Sequence, residues 1–318
     1  MEQVKTALVL GATGGVGGEV ARLLVARGWR VRALHRAPQA AARRGDGMQW
    51  LPGDAMVRED VVAAAEGVQL IVHAVNPPGY RNWGQLVLPM IDNSIAAARA
   101  SGARILLPGT VYNYGPDAFP IIDEESPQRP VTRKGAIRVE LEARLQAAAA
   151  DGVRTLIVRA GDFFGPKAGN NWFAQGLVKP GKPLTAISYP GNTGIGHQWA
   201  YLPDVAETMV RLIEKEDQLD TFARFQMEGH WDADGTQMVA AIARAAGKPE
   251  LKASAFPWWL LALASPFVAV FRELCEMRYL WLQPVHMTNK RLVQVLGAEP
   301  RTPLDVAVKR TLAGLGNL

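Results

Sequence analysis

The stretch that most constrains this chain is its opening, Thr6-Ala-Leu-Val-Leu-Gly11-Ala-Thr13-Gly14-Gly15-Val16-Gly17. An apolar run of Val and Leu stops at Gly11, and from Val16 the apolar positions Val16, Val20, Leu23 and Leu24 recur at helical spacing as far as Arg27. The spacing predicts strand, tight glycine turn, helix. Gly11 lets the chain turn at the strand end, Gly14 lets backbone approach a diphosphate with no Cβ in the way, and Gly17 allows close packing of helix on strand. The N–H groups and positive dipole end of such a helix then face the phosphates of a dinucleotide. Thr13, Gly15 and Val16 in the turn join the three glycines as candidate cofactor contacts, against the alternative of a plain structural turn.

Composition narrows the classes. At 318 residues the chain holds one large unit, or a core plus a smaller lobe, and 48% hydrophobic with 20% charged residues excludes a disordered chain. The net charge of +5 is carried by scattered Arg without a polybasic run, so an anionic ligand such as a phosphorylated cofactor suits it better than nucleic acid. Cys275 is the only cysteine, which leaves no internal disulfide and no thiolate cluster and fits a reducing cytosol. Five scattered His without paired spacing argue against a metal site. The N-terminus runs straight into the first strand without an apolar signal core, so a cytoplasmic protein is expected.

A second strand over 29–36 ends in His35 and Arg36, with Arg43 and Arg44 close behind. An acidic residue there would bind the ribose 2′-hydroxyl of NAD, whereas Arg accommodates the 2′-phosphate of NADP, so NADP is favoured and NAD stays open. A third strand over 48–54 precedes a helix over 57–66, and Asp54 between them either contacts the adenine or caps that helix. The strand 68–75, nearly continuous in apolar residues, ends at Ala74 and Val75. Its exit Asn76-Pro-Pro-Gly-Tyr-Arg falls at the carboxyl end of the sheet, where ligands bind in open α/β folds.

Alternation continues through a helix over 83–100, a strand over 104–107, a helix over 133–150 and a strand over 154–159, which implies a parallel sheet with right-handed crossovers. Residues 161–200, rich in Gly, Pro, Asn and aromatics, read instead as a loop-rich binding wall. Further helices are expected over 201–215 with Pro203 in the first turn, then 235–246, 257–274, 288–296 and 303–314, with Thr288 as a cap and Gly297 as a stop. The fold class is therefore α/β, a Rossmann-type doubly wound parallel sheet with a smaller, mostly helical C-terminal substrate lobe. Residues 1–162 and 197–227 are assigned to the core, and 163–196 and 228–318 to the lobe.

In collinear order these segments resemble the extended or atypical branch of the short-chain dehydrogenase/reductases, which includes sugar-nucleotide epimerases and dehydratases. The glycine turn resembles its cofactor loop, Gly109-Thr-Val-Tyr112-Asn-Tyr-Gly115 the segment after its fifth strand, and Asp123-Glu-Glu-Ser-Pro the loop before its catalytic helix. Arg159-Ala-Gly-Asp-Phe-Phe-Gly165-Pro166, Tyr201-Leu-Pro-Asp204-Val-Ala and Leu296-Gly-Ala-Glu-Pro-Arg-Thr-Pro-Leu-Asp305 are similar to its later landmarks. The resemblance implies an NAD(P)-dependent reaction run by a Tyr and a Lys four residues later on one helix face, with a Ser nearby. It also implies a homodimer through the helices 83–100 and 133–150.

Laid on that pattern, Lys134-Gly-Ala-Ile-Arg138-Val-Glu-Leu-Glu142 puts Lys134 at the Tyr position and Arg138 at the Lys position, and Pro108 falls where the Ser is expected. Three readings stay open. Lys134, beside Arg138 and buried, serves as proton donor while Thr110 or Tyr112 positions a carbonyl. Alternatively chemistry is lost and the chain binds NADP(H) as a sensor or accessory subunit, or else Tyr112 or Tyr114 is the working phenol. The plain reading of Lys134 and Arg138 is an exposed helix face, with Arg138 and Glu142 as a surface pair contributing under about 1 kcal/mol.

On the substrate side, Phe256-Pro-Trp258-Trp259-Leu-Leu-Ala-Leu-Ala-Ser-Pro266-Phe-Val-Ala-Val-Phe271 is the most apolar stretch, too short and too interrupted to span a bilayer. It reads first as a buried helix, then as the wall of an apolar substrate site or a patch resting on a membrane surface. Trp172, Phe173, Trp199 and Trp231 are either cleft aromatics or ordinary core residues, and His197 is either a cleft residue or a satisfied structural His. The expectation is an NADP(H)-dependent carbonyl or alcohol oxidoreductase on a small, apolar molecule. A non-catalytic NADP(H)-binding subunit and a sugar-nucleotide epimerase or dehydratase are the alternatives.

Overall fold

The computed structural model describes residues 4–43, 45–77, 82–169 and 171–318. Arg44 and most of the exit after the 68–75 strand, residues 78–81, lie outside them. The first half alternates as expected: β1 (Thr6–Leu10), α1 (Gly15–Ala26), β2 (Arg30–His35), α2 (Pro38–Ala42), β3 (Gln49–Pro52), α3 (Arg58–Ala64), β4 (Leu70–His73) and α4 (Trp83–Ser101). After β5 (Arg104–Gly109) and the short β6 (Ile121–Ile122) come α5 (Arg133–Ala150) and β7 (Thr155–Arg159). Next are β8 (Asp162–Phe164), β9 (Ile187–Tyr189), β10 (His197–Tyr201), α6 (Leu202–Glu214), β11 (Phe222–Gln226) and β12 (His230–Asp232). The chain continues through α7 (Gln237–Ala245), β13 (Ala253–Ala255), α8 (Trp258–Ala264), α9 (Ala269–Glu276), β14 (His286–Met287), α10 (Lys290–Leu296) and α11 (Leu304–Gly314).

One seven-stranded sheet runs in the order β11-β7-β5-β4-β1-β2-β3, with every neighbouring pair parallel. Chain order reverses between β3 and β4, which makes the carboxyl ends of β1 and β4 the switch point of the sheet. β1 is buried along its whole length because both its faces are covered. Ala7 and Val9 pack with Val20 and Leu24 of α1 and Met209 of α6, while Leu8 and Leu10 pack with Val61 of α3, Ile91 of α4 and Leu141 of α5. Two-sided burial is why the strand reads as a continuous apolar run, each large side chain contributing about 1.5–3 kcal/mol before entropy is counted.

Beyond the sheet the sequence pattern needs correction. The helix expected over 257–274 is two helices, α8 and α9, separated by Ser265-Pro266-Phe267-Val268, since Pro266 has no N–H to continue the ladder. Asn289, not Thr288, precedes α10, because the Thr288 N–H donates to the Ile122 carbonyl at 3.0 Å; Gly297 ends α10 at φ 80°. The 161–200 wall contains three short strands, and its aromatics are packing groups. Phe173 and Trp199 are fully buried in a third core with Met238 and Leu312, and Trp172 packs against Phe256, Trp258 and Trp281. Trp231 stacks on His286 at 4.3 Å.

Candidate active site

The cofactor end is made of backbone. Gly11 sits at φ 93°, and a Cβ there would come within 2.5 Å of the Ala74 carbonyl at the exit of β4. A side chain at Gly17 would collide with the Gly11 carbonyl, so α1 lies tightly against the turn. Thr13 and Gly14 are exposed, Gly15 and Val16 half-buried. Helix α1 starts after Gly14 with no side chain capping it and no acidic residue in its first turn. The first N–H groups of a helix have no carbonyl within it to bond, so this uncapped, uncharged start fits the diphosphate of a dinucleotide. Ala168 closes over it, its carbonyl directly above the Gly15 Cα.

Strand register pairs Leu10 with Leu34, which sets exposed Arg36 level with the glycine turn. Exposed Arg43 follows α2. Ala74 is tied to β1 by its N–H bond to the Leu10 carbonyl, and half-buried Val75 continues from it. Asp54 spends one carboxylate oxygen locally, accepting from the Met56 N–H at 3.0 Å, and α3 begins after Val57 without a side-chain cap.

The other end is made of side chains. Thr132 caps α5 by accepting from the Gly135 N–H at 2.9 Å. A Cβ on Gly135 would collide with the Tyr112 carbonyl, so the first turn of α5 abuts the Thr110–Tyr112 segment. The exposed-face reading of Lys134 is overturned: Lys134 is 4% exposed, and its Nζ lies 2.7 Å from Glu273 Oε2 of α9. A second carboxylate of α9, Glu276, accepts from the Arg133 N–H at 2.6 Å. Arg138 is half-buried over the Trp83 ring at 5.5 Å. It also faces His73 at the end of β4, whose imidazole is pushed down to about 3 by burial and by the Arg138 charge and is neutral.

Nor does Glu142 pair with Arg138. It is 5% exposed and accepts from Arg159 Nη2 at 3.0 and 2.9 Å, from Asn113 Nδ2 at 2.9 Å and from Gln128 Nε2 at 3.1 Å. Arg159 comes from the end of β7, where its register partner is Gly109 of β5, and its Nη1 donates to the Thr110 carbonyl. Burial opposes the Arg159 charge, but the Glu142 carboxylate holds its proton more firmly than usual. The Thr110 hydroxyl donates to Asn113 Oδ1 at 2.7 Å. One buried network thus sets the positions of Thr110 and Asn113, on either side of Tyr112.

Tyr114 is 1% exposed, its hydroxyl accepting from Gln226 at 3.1 Å and its proton held by burial, so it is a core residue and not a working phenol. His197 donates to Asp162 Oδ2 at 2.8 Å and stacks on Trp281 at 3.7 Å. It is satisfied, yet it borders a pocket of about 20 Å³ with Val111, Gly161, Asp162, Leu280 and Met287, room for about one water. Sequence reasoning missed Glu142 and Arg159 as a pair, and Glu273. Glu142 shares a helix face with Lys134 and Arg138, a usable signal, whereas nothing local marks Glu273.

Comparison with known proteins agrees with this geometry. The model of the NAD dependent epimerase/dehydratase family matches residues 7–227. The 3-diazoavenalumate denitrifying reductase of a Streptomyces species is 29% identical over 178 residues, which span 51% of this chain and 57% of that enzyme, so the chain matches little over half the length of this relative. Two solved structures share the fold. The UDP-glucose 4-epimerase from Bifidobacterium longum, in complex with NAD+ and UDP, has a TM-score of 0.74 at 14% identity, over 99% of this chain and 100% of that one. The Bordetella bronchiseptica enzyme WbmH, in complex with NAD+, has a TM-score of 0.71 at 17% identity, over 98% of both chains. With its sheet order, its glycine turn at the switch point and a family match covering most of its length, the chain belongs to the NAD-dependent epimerase/dehydratase family.

Proposed function

We propose that this chain is an NADP(H)-dependent carbonyl reductase for a small, apolar substrate, with Lys134 as its proton donor. The observation that carries this reading is the buried Lys134 ammonium in the first turn of α5, at the position where the family resemblance calls for a Tyr, paired with Glu273. The relative's name, a reductase, supports it. The cofactor supplies the hydride when bound. Lys134 Nζ passes a proton to the carbonyl oxygen as the alcohol forms, and regains one from water reaching Glu273, whose side chain is 24% exposed. Arg138, four residues on along the same face, stabilises negative charge developing on that oxygen. The Thr110 hydroxyl, already donating to Asn113, offers its lone pairs to the product alcohol. Arg36 holds the 2′-phosphate of NADP.

A second reading, a sugar-nucleotide epimerase or dehydratase, is supported by the family model and by the epimerase among the structural neighbours. It begins with the same kind of hydride transfer, but it returns the hydride and consumes no cofactor.

The experiment is titration with NADPH and NADH, then NADPH consumption over aldehydes, ketones and quinones, for the wild type, Lys134→Ala and Arg36→Ala. Expected are a preference for NADPH that Arg36→Ala reduces about tenfold, and turnover that falls at least about a hundredfold in Lys134→Ala with cofactor binding kept. Full turnover in Lys134→Ala sinks the assignment of the proton donor. Interconversion of UDP-sugars in the presence of NAD+ or NADP+, without net change in the cofactor, establishes the second reading, and tight binding with no turnover on any substrate establishes a sensor or accessory subunit.

A further inference from the structure

We infer that the α8–α9 hairpin is a docking surface for an anionic phospholipid membrane. Residues 253–271 carry no charged side chain. Within them α8 buries Trp258 and Leu261, and the Trp258 indole donates to the Pro190 carbonyl at 2.7 Å, so the inner side of the hairpin is anchored. The outer side is apolar. Trp259 is 72% exposed, Leu263 71%, and Phe267 in the turn after α8 is 90% exposed, so the tip stands clear of the protein.

The charges at the base of the hairpin decide the occupant. Lys252, Arg272 and Arg278 are exposed, with Arg278 lying over the Trp258 ring. The acidic residues of the segment, Glu273 and Glu276, face inward onto Lys134 and the Arg133 N–H. The outward face therefore combines an apolar tip with a rim on which the exposed bases Lys252, Arg272 and Arg278 outnumber the exposed acid, Glu250. A protein interface ordinarily rings its apolar centre with hydrogen-bonding groups of both kinds. A bilayer surface asks for what is present here: Trp at headgroup depth, aliphatic and Phe side chains just beneath, and Lys or Arg against lipid phosphates. Among the described residues no helix is long and apolar enough to cross a membrane, so the hairpin lies on the surface and does not span it. This inference does not depend on the reductase reading.

The test is co-sedimentation of the full chain with vesicles of phosphatidylcholine alone and with phosphatidylglycerol added, for the wild type and the double variant Leu263→Asp/Phe267→Asp, with NADPH titration of both proteins as a check on folding. Both positions are exposed, so the variant is expected to fold and to keep its cofactor affinity. Expected is binding to the anionic vesicles that weakens several-fold with added salt and falls at least tenfold in the double variant. Absence of wild-type binding to anionic vesicles overturns the proposal, as does equal binding by the double variant. Concentration-dependent self-association that the double variant abolishes, without vesicle binding, overturns it in favour of a second copy of this chain.

Discussion

The two ends of the sheet edge that form the candidate site are built from different materials. At β1 and β4 the cradle is backbone, a turn of Gly, Ala, Thr and Val with no ionisable side chain between Gly11 and Gly17. At β5, β7 and α5 it is side chains, with Lys134, Glu142 and Arg159 all buried and Glu273 brought in from α9. A backbone site is specified by which residues have no Cβ, and a few neighbouring positions suffice. A side-chain site is specified by partners far apart in sequence, each of which must be neutralised or hydrogen-bonded once buried. The first kind should fail by steric intrusion, the second by loss of a partner or by a change of charge.

The largest effect is expected from Glu142→Ala. It leaves the Arg159 guanidinium buried without its carboxylate and strips a partner from Asn113 and Gln128. Removing one member of a buried pair costs about 3–5 kcal/mol, read as a fall in the urea midpoint with an unchanged slope. A loss below about 1 kcal/mol, the value of a surface pair, would mean that the network does not hold this edge together.

That contrast also explains what could be read from the sequence. β1, the glycine turn, α1 and α5 are local patterns, and the helix expected over 133–150 is α5 as observed. Glu142 was visible on the Arg138 face, but its true partner Arg159 is set by the β5–β7 register, which no local spacing encodes. Glu273 reaches Lys134 only because α8 and α9 fold back separately around Pro266, where the apolar run had read as one helix. On sequence Trp199 and Phe173 fit a cleft wall or a core equally well, because an aromatic side chain looks the same in both, and the fold puts them in the core.

Acid provides the next test, through two buried imidazoles, His73 at the end of β4, where the two ends meet, and His230 of β12. His73 beside Arg138 is held down to about 3 by burial, and His230 to about 4 by burial and then Arg301. An unfolded His takes up its proton near pH 6.5. Below that value the unfolded state binds more protons than the native state, so stability that is complete above about pH 6.5 is lost as pH falls toward the native values. For His73 alone the loss reaches roughly 3 kcal/mol by about pH 4. Urea unfolding at neutral and acid pH should show this, with a shallower decline in His73→Asn. An identical decline in that variant would place the pH dependence elsewhere.

The smallest effect, and the sharpest on the backbone end, is expected from Gly15→Ala. Two consequences oppose each other in stability. Ala in a helical position is favoured over Gly by up to about 1 kcal/mol, while its Cβ would press on the Ala168 carbonyl, which must give way. The obstruction is backbone, so the clash outweighs the helical gain and the unfolding free energy should fall by about 1–2 kcal/mol. Binding has no such compensation, because the methyl group stands over the first turn of α1, where the diphosphate is proposed to sit, and it also displaces the segment that closes there. NADPH affinity should fall about tenfold, about 1.4 kcal/mol, measured under conditions where the variant is still fully folded and with only a modest fall in the urea midpoint. Unchanged affinity would mean that this turn is not the phosphate seat. A large loss of stability with affinity intact would reduce Gly15 to a packing residue, and the distinction between a backbone-built and a side-chain-built end would no longer hold at this position.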